Sequence, residues 1–333
     1  MIIVTGAYPP DICGVGDYSQ MLYNALVDQH IPVELFYRRH WNLKCLRPYS
    51  NELSRAGDIV VNFQYPTEGY GYSIVPHLLA FGLRGKQKLV TLHEFTRKSL
   101  KGQLAIYLFF LSANWIVFTT EQEHEAACRV APWIRRRSSV IQIASSIPMQ
   151  DPQVPDADVT YFGLIRPGKG LEQFAEVTER LKACQSVVVR VVGQMGGGYE
   201  AYSLGIVDKM TAMGVELVLN RDSDEVSSLL SRSRLALLPF PDGLSFRRSS
   251  ALAAMGNGAL LVTTPPAHDA EILSNLCVSA KGADGLLNAV IDALNHPEKY
   301  EAQRTSGQAF ARSIQWRAVA RSYQEIADRL SKL

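Results

Sequence analysis

The chain has 333 residues, more than the roughly 250–300 at which one hydrophobic core stops growing, so two domains are expected. Hydrophobic residues make up 47% and charged residues 20%, a globular balance that excludes a disordered chain. A formal net charge of +2 points to neither a nucleic-acid partner nor a strongly acidic one.

Short β-rich runs alternate with amphipathic helical patterns from the start. Strands are predicted at 2–5, 33–37, 58–63, 89–92, 115–118 and 140–143, with helices near 17–29, 73–83, 100–112 and 121–131. The strand runs are apolar without in/out alternation, which marks strands covered on both faces in a parallel sheet. The longest apolar stretch, 104–120, is broken by Ser112 and Asn114 and reads as a buried helix running into a strand, short for a membrane span. Residues 148–158 (PMQDPQVPDAD) are rich in proline and acids and read as a linker.

The pattern then restarts. Strands are predicted at 159–162, 187–192, 216–219, 236–239 and 260–263, with helices near 169–183, 199–213, 223–231, 248–257 and 283–295. Two further helices, near 297–312 and 315–331, close the chain. Two successive βα halves predict an α/β protein of two doubly wound, Rossmann-like domains, 1–150 and 151–314, with ligands taken at the carboxyl ends of the strands.

Residues 1–150 carry 15 Lys and Arg against 11 Asp and Glu, the remainder 19 against 21. The excess lies in the clusters Arg38–Arg39, Arg84/Lys86/Lys88, Arg97/Lys98/Lys101 and Arg135–Arg137, read either as solvated surface or as a basic face for anionic lipid. Five scattered cysteines without a C-x-x-C pair suit a reducing cytoplasm and give no disulfide or zinc framework. The start, MIIVTGAYPP, reads as a strand and turn rather than a leader, so a cytoplasmic protein is expected, at most peripheral on the cytoplasmic face of a membrane.

Chemistry-bearing residues gather after the strands. The first strand runs into Gly6-Ala7-Tyr8-Pro9-Pro10-Asp11-Ile12-Cys13-Gly14-Val15-Gly16-Asp17, a loop whose backbone N–H groups and following helix can meet a phosphate. It matches neither G-x-G-x-x-G nor a Walker loop. His93 ends the fourth strand and Gln64 the third. An imidazole at a strand end can exchange hydrogen bonds with a sugar hydroxyl. In the second half, Arg166 and Lys169 stand between a strand and a helix, a Lys point charge and an Arg fork suited to a diphosphate. The densest cluster is Asp242-Gly243-Leu244-Ser245-Phe246-Arg247-Arg248-Ser249-Ser250, leading into Ala251–Gly258. There, Ser and Arg can hold phosphate oxygens and Asp242 can accept from sugar hydroxyls.

Together these motifs resemble the retaining GT-B glycosyltransferases, glycosyl transferases group 1, across nearly the whole chain. The resemblance rests on the Pro-Pro…Gly-Val-Gly loop, the His93 strand end, Phe-Gly…Lys-Gly at 162–170, and Pro-Phe…Asp-Gly…Ala-Met-Gly-Asn-Gly. It implies two Rossmann-like domains facing across a cleft, with the Trp316-containing final helix, 315–333, packing back on the first domain. The first domain would then serve the acceptor and transferred sugar, the second the nucleotide.

Two departures are visible. The arginine that follows the motif's glycine in the family is Leu164 here, with Arg166, Arg247 or Arg248 as candidate replacements. Of two glutamates seven residues apart, the first is replaced by Asp242 or Ser245, depending on the alignment, and the second is absent; counted back from Ala254-Met255, its position holds Ala253. A branch with Asp-Gly-x-Ser-x-Arg-Arg in place of the glutamates fits this sequence.

The expectation is a hexosyltransferase-type enzyme that retains anomeric configuration and needs neither metal nor cofactor. It would move sugar from a nucleotide-sugar to a sugar or lipid-linked acceptor in polysaccharide or lipopolysaccharide synthesis. The resemblance assigns catalysis to His93, Lys169, Asp242 and Arg247. Donor binding falls to Gly14, Val15, Gly16, Arg166, Asn220, Ser245, Arg248 and Ser249. A second reading, prompted by the missing glutamate, is a non-catalytic GT-B protein serving as a partner in a glycan-assembly complex. A nicotinamide-dependent oxidoreductase is disfavoured without G-x-G-x-x-G and its ribose-binding acid.

Overall fold

The computed structural model describes every residue except 58, 97, 196, 197, 267–269 and 333, and leaves out the side chains of 270 and 271. The chain divides into two compact units, Met1–Ile143 with Trp316–Leu333, and Ala144–Gln315.

The first unit runs β1 (Ile2–Thr5), α1 (Gly14–Asp28), β2 (Glu34–Tyr37), α2 (Leu46–Arg55), β3 (Val61–Tyr65), α3 (Val75–Gly82), β4 (Lys88–Leu92), α4 (Leu100–Ser112), β5 (Trp115–Phe118), α5 (Glu121–Val130) and β6 (Ser138–Val140). The second continues with β7 (Ala157–Ile165), α6 (Leu171–Cys184), β8 (Val189–Met195), α7 (Glu200–Ala212), β9 (Glu216–Leu219), α8 (Ser223–Ser231), β10 (Ser233–Leu238), α9 (Ser249–Gly256), β11 (Leu260–Thr263), α10 (Ala270–Leu273), β12 (Val278–Ser279), α11 (Gly282–Asn295) and α12 (Glu301–Ser313). The last helix, α13 (Trp316–Leu330), lies along α1.

Both sheets are parallel. The first has the order β2-β1-β3-β4-β5-β6, with Val4 opposite both Phe36 and Phe63. The second is β12-β11-β10-β7-β8-β9. In the first sheet the winding direction reverses between β1 and β3, in the second between β7 and β10. At such a switch point the loops leave in opposite directions and open a crevice beyond the strand ends. Each therefore places its crevice at loops 6–13 and 66–74 in the first unit and 166–170 and 239–248 in the second; the sequence singled out all but 66–74.

Strand chemistry explains the sheets. All four residues of β1 and all five of β3 are buried, as expected of strands covered on both faces. Phe109 of α4 packs on Phe63 and Tyr65 with ring centroids 6.1 and 5.3 Å apart, and each such ring contributes about 2–3 kcal/mol of burial. In the second unit Phe174 of α6 meets Tyr161 of β7 at 5.2 Å.

Several expectations shift. The first helix begins at Gly14 rather than 17, so Gly14, Val15 and Gly16 form its first turn; packing against the Ala7 carbonyl outweighs glycine's weak helix propensity. The strand expected over 58–63 is Val61–Tyr65, and residue 58 lies outside the described residues, as does Arg97 of the third basic cluster. The strand expected over 140–143 is Ser138–Val140, and that over 236–239 ends at Leu238. Helix α2 lies outside the predicted elements; it accommodates Pro48 in its first turn, where no backbone N–H is needed. The expected helix near 297–312 opens as a 3₁₀ turn, Pro297–Tyr300, before α12 begins.

The acidic stretch 148–158 is fastened to the second unit, although residues 151–156 are exposed. Asn257 accepts from Gln150 N (2.8 Å) and donates to Pro148 O (3.0 Å), while Arg312 donates to Gln150 O and Asp151. Asp156 pairs with the buried Arg190 at 2.8 Å. The helix read as buried, α4, covers Ile106, Phe109 and Phe110 but leaves Leu104 and Leu111 exposed. No helix among the described residues is long and apolar enough to cross a membrane.

Candidate functional site

At the first switch point the loops after β1 and β3 touch. A Cβ on Gly69 would stand 1.7 Å from the Gly6 carbonyl oxygen, so only glycine fits. The buried Cys13 sulfur accepts from Glu68 N at 3.4 Å. Asp11 accepts from Tyr37 OH at 2.5 Å and from Tyr8 N at 3.4 Å, tying the Pro-rich loop to the end of β2. The Tyr37 bond holds the Asp11 carboxyl below its usual range, aided by Arg39. Gly14, Val15 and Gly16 follow as the first turn of α1, whose N-terminus has no side-chain cap.

His93 lies one residue past β4 and is buried. Its Nε2 is 3.0 Å from Gln64 Oε1. Because an amide oxygen only accepts, Nε2 carries the proton, and in the neutral ring Nδ1 is the acceptor nitrogen. The network continues inward. Gln64 Nε2 donates to Thr91 Oγ1 at 3.2 Å, and Thr91 donates to Asn62 Oδ1 at 3.0 Å. With that proton committed, Tyr323 OH donates to Thr91 Oγ1 (2.9 Å) and Tyr18 OH donates to Tyr323 (3.0 Å). Tyr18 also packs edge-on against the His93 ring at 4.7 Å and against Trp316 at 5.0 Å. Burial pushes both tyrosine hydroxyls well above their usual range, so they remain neutral hydrogen-bonding groups.

Glu123 fixes the loop that carries His93. Fully buried at the start of α5, it accepts from Phe95 N (2.7 Å), Thr96 N (2.8 Å) and Thr96 Oγ1 (2.7 Å). Sequence reasoning missed it, although Thr120-x-x-Glu123 is a capping-box signature. Thr120 does cap α5, accepting from Glu123 N at 3.3 Å, but the glutamate side chain serves the neighbouring loop instead. Asn62, Thr91 and Tyr323 were also missed, since nothing local marks them.

In the second unit the loops after β7 and β10 meet in the same manner. Gly170, left-handed at φ 79°, would place a Cβ 1.7 Å from the Pro239 carbonyl oxygen. Tyr161 OH donates to Lys169 O at 3.0 Å, which sets the backbone of that lysine. Arg166 and Lys169 are half-buried beside the start of α6, which has no side-chain cap. Across the switch point Arg248 pairs with Asp242 and lies 4.5 Å over the Phe240 ring. Burial raises the Tyr161 hydroxyl's pKa while Arg248 opposes the rise, so the Lys169 backbone and the Arg248 charge both bear on Tyr161.

Thr264 Oγ1 holds the Phe240 carbonyl at 2.6 Å, and Arg248 N donates to Ser245 O at 3.0 Å. Arg247 is half-buried, Ser249 opens α9, and that helix too lacks a side-chain cap. First-turn N–H groups and several cations thus surround the strand ends, an arrangement suited to an anion.

Two positions stand apart from this cluster. Asn220, left-handed at φ 56° and exposed, uses its side-chain oxygen to accept from Met195 N at 3.3 Å, so the amide ties β8 to β9. Ala253 is fully buried among Val226, Leu229 and Leu230, a core position closed to a ligand-facing carboxylate. Among the described residues no three His, Cys, Asp or Glu side chains gather as a metal set.

No protein-family model and no curated protein sequence matches the chain. Solved structures do. HepE from Anabaena, in complex with UDP and glucose, matches with a TM-score of 0.74 and 16% identity over 100% of this chain and 99% of that one. Sucrose-phosphate synthase from Thermosynechococcus elongatus matches at 0.72 and 16% identity, covering 99% of this chain and 98% of its own. AviGT4, a glycosyltransferase involved in avilamycin A biosynthesis, matches at 0.61 and 14% identity over 99% and 97%. At such identities the likeness is one of fold. The chain has the GT-B fold, two parallel-sheet Rossmann-like units.

Proposed function

We propose that the chain is a retaining, metal-independent hexosyltransferase that moves sugar from a nucleotide-sugar to an acceptor hydroxyl in glycan or glycoconjugate synthesis on the cytoplasmic side. The observation that carries this reading is the cationic switch point of the second unit. There Arg166, Lys169, Arg247 and Arg248 surround two uncapped helix starts, held together by the Gly170–Pro239 approach. HepE, of the same fold, binds UDP and UDP-glucose, and a nucleoside diphosphate suits this cluster.

In the proposed reaction the bond from the anomeric carbon to the diphosphate oxygen breaks as the acceptor oxygen bonds to that carbon on the same face. The acceptor's proton passes to the departing diphosphate. Charge grows on the leaving oxygen, so fixed cations and N–H groups there lower the barrier, and four side-chain cations supply what a metal supplies elsewhere. Asp242, oriented by Arg248, accepts from sugar hydroxyls, and Ser245 and Ser249 bind phosphate oxygens. The first unit supplies His93, with its proton held on Nε2 by Gln64, to orient the transferred sugar, and the first turn of α1 to meet it. The acceptor is a sugar or lipid-linked saccharide, and no cofactor takes part.

The alternative, a non-catalytic GT-B protein, draws on one observation: Asp242 is engaged by Arg248 and Ala253 is core, so neither family glutamate has a counterpart facing ligand. Calorimetric titration with UDP, GDP, ADP, TDP and NAD, with and without magnesium, separates the readings. Magnesium-independent binding of one nucleoside diphosphate, lost in Lys169→Ala, is expected. Binding of NAD alone would overturn the proposal, and nucleotide binding with no turnover across donor and acceptor panels would favour the alternative.

A further inference from the structure

We infer that the outward face of α4, with the turn Pro132–Arg137, is a docking surface for an anionic lipid bilayer. Helix α4 is apolar on both sides. Ile106, Phe109 and Phe110 are buried in the core, yet Leu100, Leu104 and Leu111 are 79%, 68% and 60% exposed. At 3.6 residues per turn, positions 100, 104, 107 and 111 share an arc of roughly 60°, so the three leucines and Tyr107 form one stripe along the helix. A surface helix normally turns polar residues outward, and a contiguous apolar stripe marks an unmet partner.

The turn after α5 extends that stripe. Arg137 donates to the carbonyls of Phe110 and Ala113, clamping the turn onto the C-terminal end of α4. Trp133 Nε1 donates to Phe110 O at 3.4 Å, its ring lies 6.4 Å from that of Tyr107, and Tyr107 OH donates to Val130 O at 3.1 Å. This fixes Trp133, 47% exposed, at the end of the leucine stripe.

Charge identifies the occupant. Lys101 is exposed at one end of the stripe, and Arg129, Arg135 and Arg136 are exposed at the other, with no ion pair among the described residues. The remaining basic clusters of this unit are largely occupied elsewhere. Arg38 and Arg39 pair with Glu52 and Asp11, while Lys86 and Lys88 hold backbone carbonyls. Leucines to enter the acyl boundary, a tryptophan for the interface and unpaired cations for headgroups form the pattern of a helix lying in a bilayer surface.

The test is flotation of the whole protein with vesicles of phosphatidylglycerol and phosphatidylcholine, against phosphatidylcholine alone. Binding to the anionic vesicles, weakened by salt, is expected. Leu104→Glu/Leu111→Glu and, separately, Arg135→Glu/Arg136→Glu should each lower the partition at least about tenfold. Every substituted residue is exposed, and an unchanged melting temperature certifies the fold. Nucleoside diphosphate binding by the same samples, proposed for the second unit, distinguishes failure here from failure of the proposed activity. Wild-type protein that stays with the soluble fraction, or variants that float as wild type does, would overturn the inference. A vesicle-free dimer by sedimentation that the leucine variant abolishes would assign the face to a second copy instead.

Discussion

At both switch points a glycine lets two loops meet, Gly69 against the Gly6 carbonyl and Gly170 against that of Pro239. Around these matching joints the side chains differ. The first unit's polar groups are buried and lock one another: His93, Gln64, Thr91, Asn62, Tyr323 and Tyr18 form one chain of hydrogen bonds reaching into the core. The second unit's are charged and partly exposed, with Arg248 paired to Asp242. The difference teaches that the two halves prepare a site in different ways. One fixes the orientation of a buried imidazole through a chain of hydrogen bonds; the other collects cations whose desolvation an anion would offset.

The largest expected effect breaks the second half. If the cations serve a departing diphosphate, Lys169→Ala lowers kcat by about a hundredfold to a thousandfold, the range for removing one group that stabilises developing charge. Its half-buried side chain, on a loop before α6, leaves the melting temperature nearly unchanged. Initial-rate kinetics beside a thermal melt checks both, and a near-wild-type kcat in the folded variant sinks the role given to Lys169.

The next tests the buried character of the first half through a histidine that its hydrogen-bond chain does not include. His77 on α3 is 1% exposed, between the rings of Tyr65 and Phe109 at 4.7 and 4.4 Å, and among the described residues neither ring nitrogen has a well-formed hydrogen bond. Burial, only partly offset by the Ile74 carbonyl, pulls its pKa down to about 4 from the ordinary 6.5. Above pH 6.5 the ring is neutral folded or unfolded, and its effect on stability is constant. As the pH falls from 6.5 toward 4 the unfolded chain takes up a proton that the folded one refuses, so stability drops by up to about 3 kcal/mol. Denaturant melts across that window should show the loss, and His77→Phe should flatten it. An unchanged slope in that variant would place the acid sensitivity elsewhere.

This division between the halves also governs what the sequence disclosed. The strands were legible because unalternating apolar runs such as Ile2–Thr5 can only be covered on both faces. The loops bearing Lys169 and Asp242–Ser249 were legible because charge and glycine cluster locally. The supports of His93 were not. Glu123 lies 30 residues from it and Tyr323 another 200, and each acts through a contact that only the fold creates. Asn220 shows the same limit: its strand-end position was legible, but not that its side-chain oxygen accepts from Met195 N on the neighbouring strand. In α4 a run of apolar residues implied burial on every side, and composition could not tell the core face from the exposed stripe.

Tyr323→Phe gives the smallest and sharpest test, because it removes one oxygen and little else. Two hydrogen bonds go with it, and Tyr18 OH, fully buried, loses its acceptor, at a cost of about 1–3 kcal/mol in stability. If the chain only stabilises the unit, kcat measured well below the melting temperature stays at its wild-type value. If the chain orients His93, Thr91 loses its Tyr323 donor, Gln64 gains a second set of rotamers, and the imidazole follows. Then kcat falls about threefold to tenfold, a barrier change of about 1 kcal/mol, while KM for the donor, whose diphosphate we propose the second unit holds, stays the same. Tyr18→Phe leaves the Tyr323–Thr91 bond in place and should therefore spare kcat. Equal losses of kcat in the two variants would refer the effect to packing around His93 rather than to the relay through Thr91.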